Sequence, residues 1–306
     1  MSRIAFTFPG QGAQYIGMGK EFYDAFPVCR QVMECASDAA GLDLPKLCFE
    51  ENDQIHVTEY TQIAMLAVSV AMLKVLEQHG VKPQVSAGLS LGEYGALVAC
   101  KALSMEDAFA LVRKRGIYMQ EAVPAGGAMN AILGLSADLI EEICEKTKGQ
   151  VSIANYNCPG QIVITGEERA VAAASDKLKE AGAKRVLPLK VSGPFHSPML
   201  CGAGEKLRGA LETVEIHSFE TPYVTNVTGC YVTAPDQVKE LLVKQVSSSV
   251  RWQQCVEAMI ADGIDTFVEI GPGHTLTGFL RKIDRSRKGF HIEKPEDMEK
   301  LLEALA

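Results

Sequence analysis

The sequence predicts an α/β fold in which a large domain on a mostly parallel sheet carries a small inserted β-α-β-β-α-β unit. Short apolar strands bounded by glycine or proline alternate with longer helical patterns over most of the 306 residues, the arrangement that lays helices over a parallel sheet. Between Ala128 and Lys190 this gives way to strand, helix, strand, strand, helix, strand, a ferredoxin-like split unit able to complete its own sheet without a partner. The larger pattern then resumes. The expected division is a discontinuous domain over residues 1–124 and 192–306 and a subdomain over 125–191.

The first element is the strand Ile4–Phe8, running into Pro9-Gly10-Gln11-Gly12-Ala13-Gln14. That loop is glycine-rich, as phosphate loops are. The third glycine of G-x-G-x-x-G falls on Tyr15, however, and Lys20 is followed by Glu21 where a Walker loop needs Ser or Thr, so both nucleotide readings fail. The apolar run Ile63–Leu73 is interrupted only by Ser69 and ends at Lys74 after eleven residues. A membrane span needs about 20, so this run is expected to be a buried core helix, closing near His79-Gly80 where glycine takes the left-handed position.

A short strand, Gln84 to Ala87, then enters AGLSLGEYG, residues 87–95, after which EYGALVACKAL reads as helix. The next helix starts at the serine cap Ser104, with Asp107 three residues on, and carries Phe109, Val112, Gly116 and Met119 along one side until Pro124 and two glycines end it. Within the insert the strands are AMNAILGL, VSIANYN, QIVITG and KRVLPLK, and the helices ADLIEEICEKTK and AVAAASDKLKEAG. Beyond it come the loop VSGPFHSP, a helix near 199–211, the strand-like TPYVTNVTG, a helix around 236–245, the strand TFVEI and the turn Gly271-Pro272-Gly273.

Composition narrows the function. A net charge of -8 does not supply the basic surface that phosphate contacts need, so no nucleic acid is expected as partner. The nine cysteines are odd in number, scattered and never spaced C-x-x-C, which indicates neither a disulfide framework nor a metal site. Reduced thiols in a cytoplasmic protein are expected, and MSRIAFTFPG reads as a strand, not as the start of a signal peptide.

The chemistry-bearing candidate is Gly88-Leu89-Ser90-Leu91-Gly92, a G-x-S-x-G pattern between a short apolar strand and a helix. In an α/β-hydrolase-like domain that setting forms a sharp elbow that exposes the serine Oγ at a helix N-terminus, and side chains at the flanking glycines would clash across the turn. The competing reading is a structural turn serine. A nucleophilic serine needs a base, usually histidine. Of six histidines, His79 reads as a helix-end residue, and His56, His217 and His291 lie in polar or mixed surroundings. His196, held between Pro194-Phe195 and Ser197-Pro198, and its rival His274, after Gly271-Pro272-Gly273, remain. Arg113, Lys114 and Arg115 share the helix of the Phe109 stripe; either they all snorkel to solvent or one guanidinium turns inward to grip a carboxylate. Helical spacing does not choose between Arg113 and Arg115.

Several stretches taken in order resemble the malonyl-CoA:acyl carrier protein transacylases of bacterial fatty acid synthesis and, more distantly, the acyltransferase domains of polyketide synthases. PGQGAQ is similar to that family's PGQGSQ, GLSLGEYGAL to its GHSLGE elbow, RGIYMQEAVPAGGAM to its R-G-x-x-M-Q helix end and ANYNCPGQIVITG to its A-N-x-N-S-P-G-Q strand pair; GPFHSPML carries its histidine and EIGPGHTLTG its late glycine turn.

The resemblance implies that Ser90 is acylated, that His196 is its base, and that the backbone carbonyl of Gln245, in VKQVSSSVRW, orients the imidazole. It further implies an oxyanion hole from Leu91 N–H and Gln11, with Arg115, Phe195, Met119 and Leu89 as substrate-binding residues. Arg115 would hold the free carboxylate of malonate, and Phe195 would crowd out a methyl-branched extender. The implied reaction takes malonyl from malonyl-CoA to the phosphopantetheine thiol of acyl carrier protein by a ping-pong route, with no cofactor beyond the coenzyme A thioester substrate, no membrane and a monomeric enzyme. An acidic carrier protein would meet local basic residues, Lys184, Arg185 and Lys190 or the cluster Arg281, Lys282, Arg285, Arg287 and Lys288. The alternatives are a serine hydrolase or thioesterase on the same elbow, an acyltransferase of a polyketide or malonate pathway, and an idle acyl-binding scaffold. One departure stands out: the family has histidine before its serine, and this chain has Leu89.

Overall fold

The computed structural model describes residues 2–123, 125–191 and 193–305. It contains a six-stranded and a four-stranded sheet. The first joins β1 (Ile4–Phe8), β2 (Val85–Gly88), β7 (Tyr223–Val224), β8 (Tyr231–Val232), β9 (Thr266–Ile270) and β10 (Lys288–Ile292) in the order β10-β9-β1-β2-β7-β8. Every pairing in it is parallel except β7 with β8. The second joins β3 (Gly127–Leu133), β4 (Val151–Cys158), β5 (Gln161–Glu167) and β6 (Arg185–Pro188), all antiparallel, in the order β4-β5-β3-β6. The fold is thus α/β, with a mostly parallel sheet and a separate antiparallel one. The expected joints at Pro124 and Ser192 lie outside the described residues.

β1 and β2 pair in register from Ala5 with Val85 to Phe8 with Gly88, so both strands end at the same height. The loop after β1 and the turn after β2 therefore emerge side by side at the carboxyl edge, where open α/β sheets place their sites. Both strands are buried along their length, as central parallel strands should be.

The apolar run belongs to a helix of 21 residues, Thr58–Gln78, almost twice the length of the run itself. Its length and composition would allow a membrane span, so the count of eleven residues does not discriminate; enclosure does, because 83% of its most apolar stretch is buried inside the protein. The helix Met105–Ala122 packs along it and buries Ala108, Phe109, Leu111, Val112, Arg115, Gly116 and Met119. Ser104 Oγ caps it by accepting the Asp107 N–H at 3.0 Å.

The insert's four strands form a sheet of their own, with a tie to the rest of the chain: β4 bulges twice against β5, and on its other edge Tyr156 N–H donates to Val250 O at 2.9 Å while Val250 N–H donates to Ala154 O at 2.7 Å. A bulge leaves ladder groups unpaired, and the large sheet's chain supplies their partners. In the basic cluster near the end, Arg281 and Lys282 close the helix Thr275–Ile283, where cations suit the C-terminal dipole, and Lys288 opens β10; with Arg285 they are exposed.

Candidate active site

Ser90 stands between β2 and the helix Gly92–Ala99 with φ 55, a left-handed conformation unusual for a residue with a side chain. The glycines around it leave no room for anything larger. A Cβ at Gly88 would lie 1.9 Å from the Gly92 carbonyl carbon, and one at Gly92 would lie 2.2 Å from Phe8 O. The strained residue is held on both sides: Ser90 N–H donates to Asn226 Oδ1 at 2.7 Å, and Gln245 Nε2 donates to Ser90 O at 2.9 Å.

His196 also has positive φ, 58. Its loop is fastened by Phe195 N–H donating to Gly193 O at 3.0 Å and Ser197 Oγ donating to Pro194 O at 2.7 Å, while Pro194 packs on Gly127 of β3, where a Cβ would lie 2.3 Å from the proline Cδ. The imidazole Nδ1 lies 2.9 Å from Gln245 O. A carbonyl only accepts, so Nδ1 carries the proton and Nε2 is left to accept from Ser90 Oγ–H at 2.8 Å. Burial, and then the Arg115 charge, push the His196 pKa down to about 4, against smaller opposing effects of backbone hydrogen bonds. At neutral pH the ring is an uncharged base. The rival, His274, is exposed with its ring against His291.

The structure also chooses between the arginines. Arg113 lies over the Tyr60 ring and pairs with Glu59 Oε2 at 2.9 Å. Lys114 is exposed. Arg115 is 1% exposed and has no carboxylate partner among the described residues. Its Nη2 donates to Ser90 Oγ at 3.0 Å and to Gln245 Oε1 at 3.1 Å, and its Nη1 donates to Gln62 Oε1 at 2.5 Å. A buried guanidinium without a direct anion is costly, and burial lowers its pKa. A guanidinium so placed has the donors to take a ligand carboxylate.

Gln11, Leu89, Leu91, Met119 and Phe195 surround this group in a cavity of about 100 Å³. Gln11 Nε2 is steered by donating to Thr58 Oγ1 at 3.1 Å. Leu91 is the residue preceding the helix Gly92–Ala99, whose first N–H groups, those of Gly92, Glu93 and Tyr94, donate back to the carbonyls of Leu89, Ser90 and Leu91. Met119 Sδ receives Gln62 Nε2 at 3.4 Å. A second cavity of about 250 Å³, lined by Asn155, Asn157 and Gln161, adjoins the first, and Gln11 and Leu89 line both.

Three neighbours escaped sequence reasoning. Gln62 looked like the edge of an apolar run, Asn226 like a strand residue, and Glu93 like an ordinary helix start. Glu93 is wholly buried; its Oε2 accepts from Gln245 Nε2 at 2.7 Å and Asn226 N–H at 3.0 Å. Burial raises its pKa to about 7 against those hydrogen bonds and the Arg115 charge. A polar residue inside a buried run, or a carboxylate in the first turn of an elbow helix, was the available signal. The site therefore does contain a buried carboxylate, but it stands behind Gln245, not on the imidazole.

The family model described as acyl transferase domain matches residues 5–295. The chain belongs to this family. Among the family's curated members, a malonyl CoA-acyl carrier protein transacylase of Bacillus subtilis (strain 168) is 44% identical, covering 100% of this chain and 98% of that protein. Among solved structures, MCAT from Streptococcus pneumoniae superposes with a TM-score of 0.95 at 47% identity, covering 99% of this chain and 100% of that one. A further neighbour, a malonyl-transacylase solved in complex with a type II PKS acyl-carrier protein, gives 0.96 at 40% identity, covering 99% and 100%.

Proposed function

We infer that this protein transfers malonyl from malonyl-CoA to the phosphopantetheine thiol of acyl carrier protein, supplying fatty acid synthesis, through a malonyl-serine intermediate. The observation that carries this reading is Arg115: a buried guanidinium without a carboxylate partner, 3.0 Å from the Oγ of a serine on an elbow. A planar fork in that position suits an acyl group with a free carboxylate at its far end.

In the first half-reaction Ser90 Oγ attacks the thioester carbonyl as its proton passes to His196 Nε2. Gln245 O holds the Nδ1–H and stabilises the imidazolium that forms, in the place a carboxylate occupies in other triads. Leu91 N–H and Gln11 are our candidates for the donors to the oxyanion. As the intermediate collapses, the C–S bond breaks and the coenzyme A sulfur takes the proton from His196, leaving malonyl on Ser90. The second half-reaction runs the same steps backwards with the carrier-protein thiol as nucleophile. Arg115 exchanges its bond to Ser90 Oγ for the malonate carboxylate, which anchors the acyl group while Phe195, Met119 and Leu89 bound the space around it. A small, mostly apolar cavity favours the thiol over water.

In this reading the parallel sheet is the core of an α/β-hydrolase-like domain, 1–124 and 192–306, and 125–191 is a ferredoxin-like subdomain; the strand order β4-β5-β3-β6 supports the second assignment. Lys184, Arg185 and Lys190, exposed at the β6 edge of the insert, are our candidates for meeting the carrier protein. A cytoplasmic monomer belongs to the same reading, supported for its compartment by nine unpaired thiols and to be checked for its mass by light scattering.

The test is incubation with malonyl-, methylmalonyl- and acetyl-CoA, followed by mass mapping and by addition of carrier protein. Malonyl on Ser90 that moves to the carrier thiol is expected. Release of free malonate with no acylated carrier would replace the transferase by a hydrolase.

A further inference from the structure

We propose that Glu93 is a positioning residue for acyl selectivity: through the Gln245 side-chain amide it aims Arg115 at the acyl group. The proposal rests on the malonyl-transfer reading and deepens it.

The argument starts from what a carboxylate oxygen can do. Glu93 Oε2 accepts, and its two partners are Gln245 Nε2 at 2.7 Å and the Asn226 backbone N–H at 3.0 Å. The Gln245 amide has two ends, and Glu93 fixes which is which. With Nε2 turned to Glu93 and to Ser90 O, Oε1 faces the other way, where it accepts Arg115 Nη2 at 3.1 Å. Flipped by half a turn, the amide would set N–H against guanidinium N–H and lose both anchors. Gln62 Oε1 takes the other terminal nitrogen of the guanidinium, so Arg115 is held by two amide oxygens and its Nη2 reaches Ser90 Oγ.

The relay also explains why the buried carboxylate in contact with Gln245 does not touch the arginine. A carboxylate in direct contact would occupy the fork that malonate needs. Set one residue back, Glu93 leaves the hydrogen-bonding face of the guanidinium free while its Oε2 still fixes the Gln245 amide. The Asn226 branch serves the elbow itself: Asn226 Nδ2 donates to Gly88 O at 2.7 Å and Oδ1 accepts Ser90 N–H at 2.7 Å. Glu93 thus reaches the elbow, used for every acyl group, through Asn226 and through the Gln245 Nε2 bond to Ser90 O, and the arginine, used only for acyl groups with a carboxylate, through Gln245 Oε1 alone.

That division makes the proposal testable. Wild-type protein is first shown to form malonyl-Ser90 from malonyl-CoA; failure there removes the functional reading and not merely this one. Single-turnover acylation is then measured with malonyl- and acetyl-CoA for Glu93→Ala, Glu93→Gln, Gln245→Met and the double variant Glu93→Ala/Gln245→Met. Loss of a hydrogen bond to a charged group costs about 10- to 100-fold, and the expected result is that Glu93→Ala reduces the malonyl-to-acetyl ratio by at least about tenfold. Glu93→Gln keeps an acceptor oxygen and should restore most of the ratio. Gln245→Met, which leaves the main-chain carbonyl in place, should lower the ratio as Glu93→Ala does, and the double variant should be no worse than either single, because both cut one relay. Equal losses for the two substrates in Glu93→Ala, a Glu93→Gln variant as unselective as Glu93→Ala, or additive effects in the double variant would each overturn the proposal. If Glu93→Ala does not fold, Glu93→Gln and Gln245→Met decide it: a ratio lost in Glu93→Gln or kept in Gln245→Met overturns it.

Discussion

The two walls of the cleft are built on different terms. On the large-sheet side Ser90, Arg115, His196 and Gln245 are joined to one another by hydrogen bonds of 2.8 to 3.1 Å, and the last three are almost wholly buried. On the insert side β6 is an edge strand whose Leu187 and neighbouring Leu189 are 45% and 38% exposed, among the least covered large apolar residues described. The difference teaches where this protein spends its constraint. Reacting atoms sit where packing and paired polar groups allow one arrangement; the wall that must admit a long thioester and then a carrier protein has few such ties. Changes on the first wall should therefore be severe and specific, and changes on the second mild.

The largest effect is expected from Ser90→Ala. It removes the oxygen that meets both His196 and Arg115 while leaving the elbow's backbone anchors intact. Acyl-enzyme should vanish from intact-mass spectra and turnover should fall by at least about a thousandfold, with the melting temperature nearly unchanged. A malonyl adduct that persists on another residue would break the assignment and with it the contrast between the walls.

Arg115→Ala comes next. Truncating one partner of a buried charge pair costs about 2–5 kcal/mol, so acylation by malonyl-CoA and methylmalonyl-CoA should fall by roughly 100-fold or more, while acetyl-CoA, with no carboxylate to bind, should lose much less. Arg113→Ala, which removes the contacts with Glu59 and the Tyr60 ring and none with Ser90, His196 or Gln245, is the control on the same helix and should change the selectivity among the thioesters little. Equal losses for all three thioesters would show that Arg115 serves the elbow and not the acyl group.

The pH dependence sharpens the comparison further. His196 titrates near 4 in the folded protein, so the acylation rate should be flat around neutrality and fall only as pH drops toward about 4. For stability the signs oppose. A histidine whose pKa is depressed below its unfolded value takes up its proton more readily when unfolded, so its contribution to stability is present in full above the unfolded pKa and is lost as pH falls toward about 4. Glu93, raised to about 7, holds a proton in the folded state that the unfolded chain releases, so its contribution is present at low pH and is lost as pH rises from 4.5 to about 7. Thermal melts of Glu93→Gln should therefore show a steeper gain of stability with rising pH between about 4 and 6.5 than the wild type. A wild-type slope already as steep would mean that Glu93 is ionised across that range.

Leu89 belongs to both walls, since it lines both cavities and packs over Gly10, where a Cβ would meet its Cδ2 at 2.5 Å. Leu89→His restores the residue the family has at this place. The two side chains are close in volume, and the proposed mechanism activates the serine through His196, so the change should alter rate or malonyl selectivity by no more than about tenfold. A larger gain in transfer over hydrolysis would assign to this position a role in shielding the acyl-serine from water.

How much of this was legible follows from how local each feature is. The elbow was readable because its three constraints, two glycines and a serine, lie within five residues, and the insert because each of its elements has its own period and turn signals. His196 and the main-chain carbonyl of Gln245 came with a family resemblance; their 2.9 Å contact spans 49 residues, and nothing in either segment announces it. Arg115 could not be separated from Arg113 because two residues apart on a helix face different ways, and only the packing against the helix Thr58–Gln78 says which way is inward. Glu93 was hidden for the same reason in stronger form, its partners lying 133 and 152 residues away. β8 and β10 went unread because the first has two residues and the second opens Lys288-Gly289, a poor strand start.

The smallest effect is expected at the insert's edge. Leu187→Lys places a charge on an edge strand that is already half open to water and flanked by Arg185 and Lys190, a change that edge strands commonly accept. Stability should move by no more than about 0.5 kcal/mol, and acylation of Ser90 by malonyl-CoA should be unaltered, because no atom of the reacting group leans on this residue. Only the second half-reaction, in which an acidic carrier protein must approach, is expected to respond, with a modest rise in transfer rate that added salt removes. A drop in the coenzyme A half-reaction would mean that the exposed wall supports the buried one through β3, whose first residue meets Pro194 two residues before His196, and that the two walls are one mechanical unit.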